Sequence, residues 1–158
     1  MLENTQKVNE VSALLSKLAG ICDSGFALAA HIRYTRPTLL FQTYAADWID
    51  QYSENGYMLA DPTVHWGLAH TGAMDWAELE PQDEAGVLKA ARDYGLTNGW
   101  TYAVGPATSR SLASMTRSQP FSTDQRAEIC GIIDRIHDLT DGFEHLPAAV
   151  QEDFRALK

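Results

Sequence analysis

Tyr44-Ala-Ala-Asp-Trp48-Ile-Asp-Gln-Tyr52 lies between a stretch with strand periodicity and a proline-led helix start at Asp61-Pro62, and the disposition of its rings decides the architecture. Read as a helix over residues 45–54, it carries Tyr44, Trp48 and Tyr52 at successive four-residue steps, so three large rings with polar handles share one face. Buried indole N–H and phenol O–H groups normally have hydrogen-bond partners, and a nearby buried Asp needs donors of its own. For any one ring, an ordinary core aromatic satisfied by backbone is the plain reading. For the set, a small ligand with a polar head supplies all the missing partners at once.

Upstream, Val11, Leu14, Leu15 and Leu18 recur at three- and four-residue spacing, which predicts an amphipathic packing helix over residues 4–19 ending near Gly20. From Gly25 to Tyr34 the period drops to two, with Phe26, Leu28, Ala30, Ile32 and Tyr34 on one face. Thr35-Arg36-Pro37 then turns the chain into Leu39–Thr43, an antiparallel hairpin. Downstream, Asp61-Pro62 reads as an N-cap with proline at the first helical position, starting a short helix through Val64 and Leu68 that Gly72 closes. Residues 82–94 read as a helix with Asp83 and Glu84 in its first turn and Lys89 and Arg92 later. Gly95 follows as a cap, and Val87, Leu88, Ala91 and Tyr94 form the buried face.

Trp100–Val104 and Ser111–Thr116 read as two further strands joined by the turn-rich residues 105–110. Ser122-Thr-Asp-Gln125 resembles a capping box, and Ile129, Ile132, Ile133, Ile136 and Leu139 make the strongest helical stripe in the chain. Pro147–Lys158 has weak helical character. Helices, a hairpin, more helices, more strands and a long helix, in that order, predict an α+β sandwich. Its core is an antiparallel sheet of about five strands with helices on both faces, and such a sandwich can hold a ligand between sheet and helices.

At 158 residues and 45% hydrophobic content the chain reads as one domain over residues 1–158. A formal charge of -9 argues against its gripping nucleic acid or an anionic membrane by itself, because phosphate contacts need clustered Lys and Arg. Cys22 and Cys130 read as free thiols in a reducing compartment. No basic-then-apolar leader opens the sequence and no apolar run reaches membrane-spanning length, so a cytoplasmic location is expected.

Enzymatic constellations are weak. His65 and His70 are off the four-residue spacing that puts two metal ligands on one helical face, and neither cysteine is near them in sequence, so no metal and no cofactor is expected. Ser109, Ser111 and Ser114 lack the Gly-x-Ser-x-Gly elbow, and no glycine-rich loop has phosphate-binding spacing.

Tyr44-x3-Trp48-x3-Tyr52, then Asp61-Pro62, then Trp76 fifteen residues after Asp61, resemble the ligand-binding domain of LuxR-type quorum-sensing transcription regulators. These are receptors for acyl-homoserine lactones, and the match in motif and element order runs from about Gly25 to Thr116, with the long C-terminal helix also in place. The resemblance implies an α-β-α sandwich enclosing the signal between its sheet and one helical layer. Donor and acceptor chemistry agrees with the roles it suggests: Trp48, which can only donate, suits the lactone carbonyl; Asp61, which accepts when ionised, suits the amide N–H; Tyr44 suits the amide carbonyl. Thr63 and Ser114 fall where the family places extra hydroxyls. Tyr52, Trp76, Tyr102, Leu39, Phe41, Val64 and Leu68 would wall the acyl chain.

The resemblance also implies a homodimer, for which the isoleucine-rich helix at 122–140 is the expected contributor. DNA would be reached only through a helix-turn-helix domain that family members usually carry beyond the point where this sequence ends. Alternatives are a stand-alone sensor that sequesters signal or forms inactive heterodimers, and a sensor of a non-lactone molecule. A lactonase or acylase would need a His-rich metal cluster or an activated N-terminal nucleophile, and the sequence displays neither.

Overall fold

The computed structural model describes residues 3–157. Helix α1 (Asn4–Ile21) leads into the hairpin β1 (Gly25–Arg33) and β2 (Arg36–Gln42), and then into α2 (Ala46–Glu54), α3 (Pro62–Ala69), β3 (Gly72–Asp75), α4 (Trp76–Leu79) and α5 (Val87–Asp93). Strands β4 (Trp100–Val104) and β5 (Arg110–Thr116) follow, then α6 (Thr123–Leu139) and α7 (Ala148–Arg155). The strands form one antiparallel sheet in the order β2-β1-β5-β4-β3. It is the α+β sandwich the element order predicts, with one helical layer on each face.

The first layer is α1, α6 and α7. Phe26, Leu28 and Ala30 of β1, Leu39 and Phe41 of β2 and Met115 of β5 face it, against Val11, Leu15 and Leu18 of α1. The α6 capping box is present in full, with Ser122 Oγ accepting from Gln125 N–H and Gln125 Oε1 accepting from Ser122 N–H. All five stripe residues of α6 are buried inside this chain. The stripe is therefore consumed by the core of this chain. Arg135 of α6 pairs with Glu10 of α1 across the outside of this layer.

The second layer is α2, α3, α4 and α5. Helix α3 lies directly on β4 and β5, and an added Cβ on Gly67 would stand 2.2 Å from a Leu112 methyl, so only glycine permits that approach. Arg110, buried, donates to the carbonyls of Gly67 and His70 at 2.8 Å each and ties the end of α3 to β5. Helix α2 packs chiefly on the turn that follows it, with a cavity between it and the sheet.

Several local expectations are revised. The hairpin tip is Tyr34-Thr35, with Arg33 paired to Arg36 and Pro37 inside the edge strand β2, where a missing N–H is tolerated. Between Ala29 and Ile32 the β1–β5 register slips at a bulge, and His31 sits at φ 50. The bulge breaks the alternation: Ile32 turns to the second layer, and Tyr34 is 98% exposed instead of continuing the Phe26 face. The helix expected over 82–94 begins only at Val87, since Gly86 adopts φ 74 and Asp83 stays outside, accepting from the N–H groups of Val87, Leu88 and Lys89. Tyr94 is part-exposed. Gly72 opens the unanticipated strand β3, while His70 caps α3. Pro147–Lys158 yields α7, whose Phe154 packs edge-on to Phe143; Lys158 lies outside the described residues.

Because α6 is buried along its stripe, truncating its centre should be felt throughout the domain. Ile133→Ala should lower the unfolding free energy by about 2–5 kcal/mol, read as a lower urea midpoint with an unchanged slope. A loss under about 0.5 kcal/mol would show that the first layer does not pack as described.

Candidate ligand-binding site

Side chains on the second-layer face of the sheet fall into two rows across the strands. Gln42, Ala27, Ser114 and Thr101 are register partners in one row, and Leu40, Ala29, Leu112 and Ala103 in the next. The first row carries amide and hydroxyl groups; the second is wholly apolar. Above them lies a cavity of about 510 Å³ roofed by residues of α2, the 56–58 turn, α3 and α5. Among its lining residues are Tyr44, Trp48, Tyr52, Asp61, Thr63, Val64, Leu68, Trp76 and Ser114, nine of the positions that the sequence nominates.

Three nominated positions are elsewhere. Leu39 and Phe41 belong to the first-layer core, because alternation along β2 sends Leu40, not its neighbours, to the cavity face. Tyr102 points to the first layer for the same reason, and its hydroxyl donates to Asp134 of α6 at 2.7 Å. Its register neighbours Thr101 and Ala103 take the cavity side of β4.

Asp61 caps α3 and is the sole carboxylate among the described residues lining the cavity. It is 7% exposed, and no lysine, arginine or histidine is among the described lining residues. Its Oδ1 accepts from Thr63 N–H at 2.8 Å and from Thr63 Oγ1 at 2.7 Å, while Oδ2 accepts from the Tyr52 hydroxyl at 2.8 Å. Burial pushes the Asp61 carboxyl above the ordinary carboxylate range, the Thr63 and Tyr52 hydrogen bonds pull the other way, and the charge of Asp83 adds to the rise. Burial likewise raises Tyr52 and Tyr44, both further disfavoured as phenolates by the Asp61 charge, so both remain protonated donors.

The polar handles are not equally committed. Tyr52 and Thr63 spend their hydroxyls on Asp61. The Trp76 indole N–H donates to Thr101 Oγ1 at 3.1 Å, and Thr101 Oγ1 lies 2.9 Å from Ser114 Oγ, a relay that joins the end of β3 to β4 and β5. Gly99 makes this possible, since a Cβ there would be 2.2 Å from the Trp76 ring. Beyond Trp76 is a second cavity of about 360 Å³ whose rim charges are already paired as Arg126–Asp75 and Arg92–Glu80. Tyr44 makes a long 3.3 Å contact to the Ser114 carbonyl, and the Trp48 indole N–H makes no hydrogen bond among the described residues. Tyr44, Trp48 and the remaining acceptor capacity of Asp61 are thus the groups left for a guest.

Sequence reasoning missed Thr101, which links Trp76 to Ser114, and among the lining residues the small floor residues Ala27 and Ala29 and the wall residues Leu40, Ile49 and Leu112. For β4 the period-two pattern separates Thr101 and Ala103 from Tyr102, which is the signal that could have found them. Among the described residues no group of three or more His, Cys, Asp or Glu could hold a metal ion, and no helix is long and apolar enough to cross a membrane. Cys22 and Cys130 are free, and burial pushes the Cys22 thiol up to about 12.

A cavity between one sheet face and a helical layer, apolar with a polar end, defines a small-molecule receptor domain. Residues 9–139 match the family model described as the autoinducer binding domain, and the chain belongs to that family, the sensor domain of LuxR-type quorum-sensing regulators. It is 31% identical over 101 residues to the quorum-sensing regulator RhlR of Pseudomonas aeruginosa, covering 62% of this chain and 42% of RhlR. To the transcriptional activator SolR of Ralstonia nicotianae it is 33% identical over 60 residues, 38% of this chain and 25% of SolR. The chain thus spans less than half the length of these relatives. In fold it is similar to Escherichia coli SdiA in complex with octanoyl-rac-glycerol, with a TM-score of 0.64 at 17% identity, covering 91% of this chain and 62% of SdiA.

The raised Asp61 pKa fixes the sign of a pH effect. A carboxyl whose folded pKa lies above its unfolded value contributes stability that is full below the ordinary carboxylate range and is lost as pH rises through the folded pKa. The unliganded domain should therefore gain less from Asp61→Asn at acid pH than at neutral pH. The difference in melting temperature between variant and wild type, plotted against pH, should climb as pH rises above about 4. A flat difference plot would mean that the Asp61 carboxylate is not held in a desolvated site.

Proposed function

We propose that this domain binds an N-acyl-homoserine lactone between its sheet and second helical layer, and passes occupancy to transcription through a DNA-binding domain beyond this chain. The observation that carries the reading is the pairing of a largely apolar cavity, with no cation among its described lining residues, with the Trp48 and Tyr44 donors beside the Asp61 acceptor. An acyl-homoserine lactone presents the reverse set: a ring carbonyl for Trp48, an amide N–H for Asp61 and an amide carbonyl for Tyr44. With three donors already on its carboxylate, Asp61 retains about one of its roughly four lone-pair sites for the ligand. Tyr52 and Thr63 then act on the ligand through Asp61, whose oxygens they orient. Regulators of this kind act in the cytoplasm, as homodimers, and without chemical change to the ligand.

A second reading has one specific support. SdiA, similar in fold, is known in complex with octanoyl-rac-glycerol. An acylglycerol has the same acyl tail and an ester carbonyl for Tyr44, but offers hydroxyl donors to Asp61 where the lactone offers an amide N–H.

Thermal melting with matched acyl-homoserine lactones and acylglycerols tests both. A ligand at about a hundred times its dissociation constant should stabilise by about 2.7 kcal/mol. The lactone should give the larger shift, and Trp48→Phe, which removes the lactone-carbonyl donor, should abolish most of it while the circular dichroism spectrum is retained. Equal shifts for wild type and Trp48→Phe would remove Trp48 from the role; a larger shift with acylglycerol would favour the second reading. Recovery of intact ligand after incubation is expected, and ring-opened or deacylated product would count against a purely binding role.

A further inference from the structure

The cavity is not sealed on every side. Its sheet face changes from the polar row at Ser114 to the apolar row at Leu112 and on towards Ile32, which the β1 bulge has turned inward. The polar end is occupied by the Trp48, Tyr44 and Asp61 handles, so an acyl tail leaving that end must run along this gradient towards the β1–β2 hairpin. There the roof is thin. Leu40 of the edge strand β2 and Met58 of the turn after α2 both line the cavity, yet are 52% and 38% exposed. Large apolar side chains exposed at the rim of an apolar cavity are what a guest's own apolar surface would cover.

Length follows from the register. Leu40 is the register partner of Ala29, which stands opposite Leu112, so it lies two residue steps along the strands and two strands across from Ser114, roughly 12 Å at about 3.3 Å per residue and about 4.8 Å per strand. An extended chain advances about 1.2 Å per bond, so that distance holds about ten bonds. The floor along this path is Ala27 and Ala29, which leave the space a larger residue would fill.

We infer that this domain is a receptor for long acyl chains, of about twelve carbons or more, whose last methylenes lie across the open mouth against Leu40 and Met58. The inference rests on the acyl-ligand reading above. Surplus carbons pass into solvent at the mouth instead of meeting an end wall, so the site sets a lower limit on useful chain length and no sharp upper one. Ala29 is the residue that keeps the path open.

Affinities of this protein for homoserine lactones with straight acyl chains from about four to about sixteen carbons test it. The expected profile rises about fourfold per added methylene to about twelve carbons, then levels off. An optimum at eight carbons or fewer, with at least a tenfold loss at twelve, overturns the inference and leaves the lactone reading standing. Absence of binding at every length overturns both. Ala29→Leu should weaken the twelve-carbon ligand at least tenfold and move the optimum to shorter chains, with an unliganded melting temperature no lower than wild type. A variant that melts normally and binds the twelve-carbon ligand like wild type places the tail elsewhere and overturns the inference.

Discussion

One carboxylate in an apolar cavity organises the second layer. Asp61 ends the turn after α2, caps α3 through Thr63 N–H, and receives the Tyr52 hydroxyl from α2, so the two helices that roof the cavity meet on its two oxygens. An unpaired carboxylate this deeply buried would be costly. Here three neutral donors hold it, at the positive end of a helix dipole, with no counter-cation among the cavity's described residues. Neutral donors stabilise the charge only in part, which is why burial still dominates its pKa. That incomplete compensation leaves Asp61 able to gain from one more donor.

The sheet divides the chain between stability and recognition. One face is filled by α1, α6 and α7 with aliphatic and aromatic side chains and gives a dry core. The other face is built from smaller residues, with Ala27, Ala29 and Ser114 where the first face has Phe26, Leu28 and Met115. Adjacent residues on the same strands thus serve opposite ends. The bulge at His31 allows one strand to serve both along its length, and it costs a left-handed residue there. His31 is held in that conformation by its ring, which lies 4.2 Å from that of His137 and bonds Ser109 Oγ and the His137 carbonyl. Burial and the neighbouring His31 ring keep His137 below the ordinary histidine range.

How much of this was legible in the sequence varied with the physical signal. The α6 stripe and its capping box stand out because helical periodicity and cap chemistry are local. Asp61-Pro62 was legible for the same reason, and its cavity position could be anticipated from the aromatic set before it. The sense of β2 was not legible: Leu39, Leu40 and Phe41 are all apolar, so alternation gives two equally good faces, and register with β1 alone decides between them. The bulge was invisible because nothing in Ala29-Ala30-His31-Ile32 requires an extra residue, and the contact His31 makes there is with α6, far away in sequence. Strand β3 is four residues at an edge, too short to carry a period. Tyr52 shows the converse, since its spacing marked the right face, while its role in holding Asp61 depends on a turn geometry that no spacing encodes.

An apolar guest in this cavity would complete the second layer in the way that α6 completes the first. Helix α2 has little beneath it but the cavity, and its rings pack on one another, Trp48 with Tyr52 at 5.9 Å and with Tyr57 at 6.1 Å, more than on the sheet. Its position is therefore set by these aromatic contacts, by the packing of Trp48 with Val87 and Ala91 of α5 and by the Tyr52–Asp61 bond, and a ligand at Trp48 and Asp61 would touch these groups directly. Helix α3, by contrast, is pinned to the sheet by Gly67 against Leu112 and by Arg110. The two roof helices thus differ in how firmly they are held. A guest in the cavity would touch both the loosely held α2 and the firmly held α3.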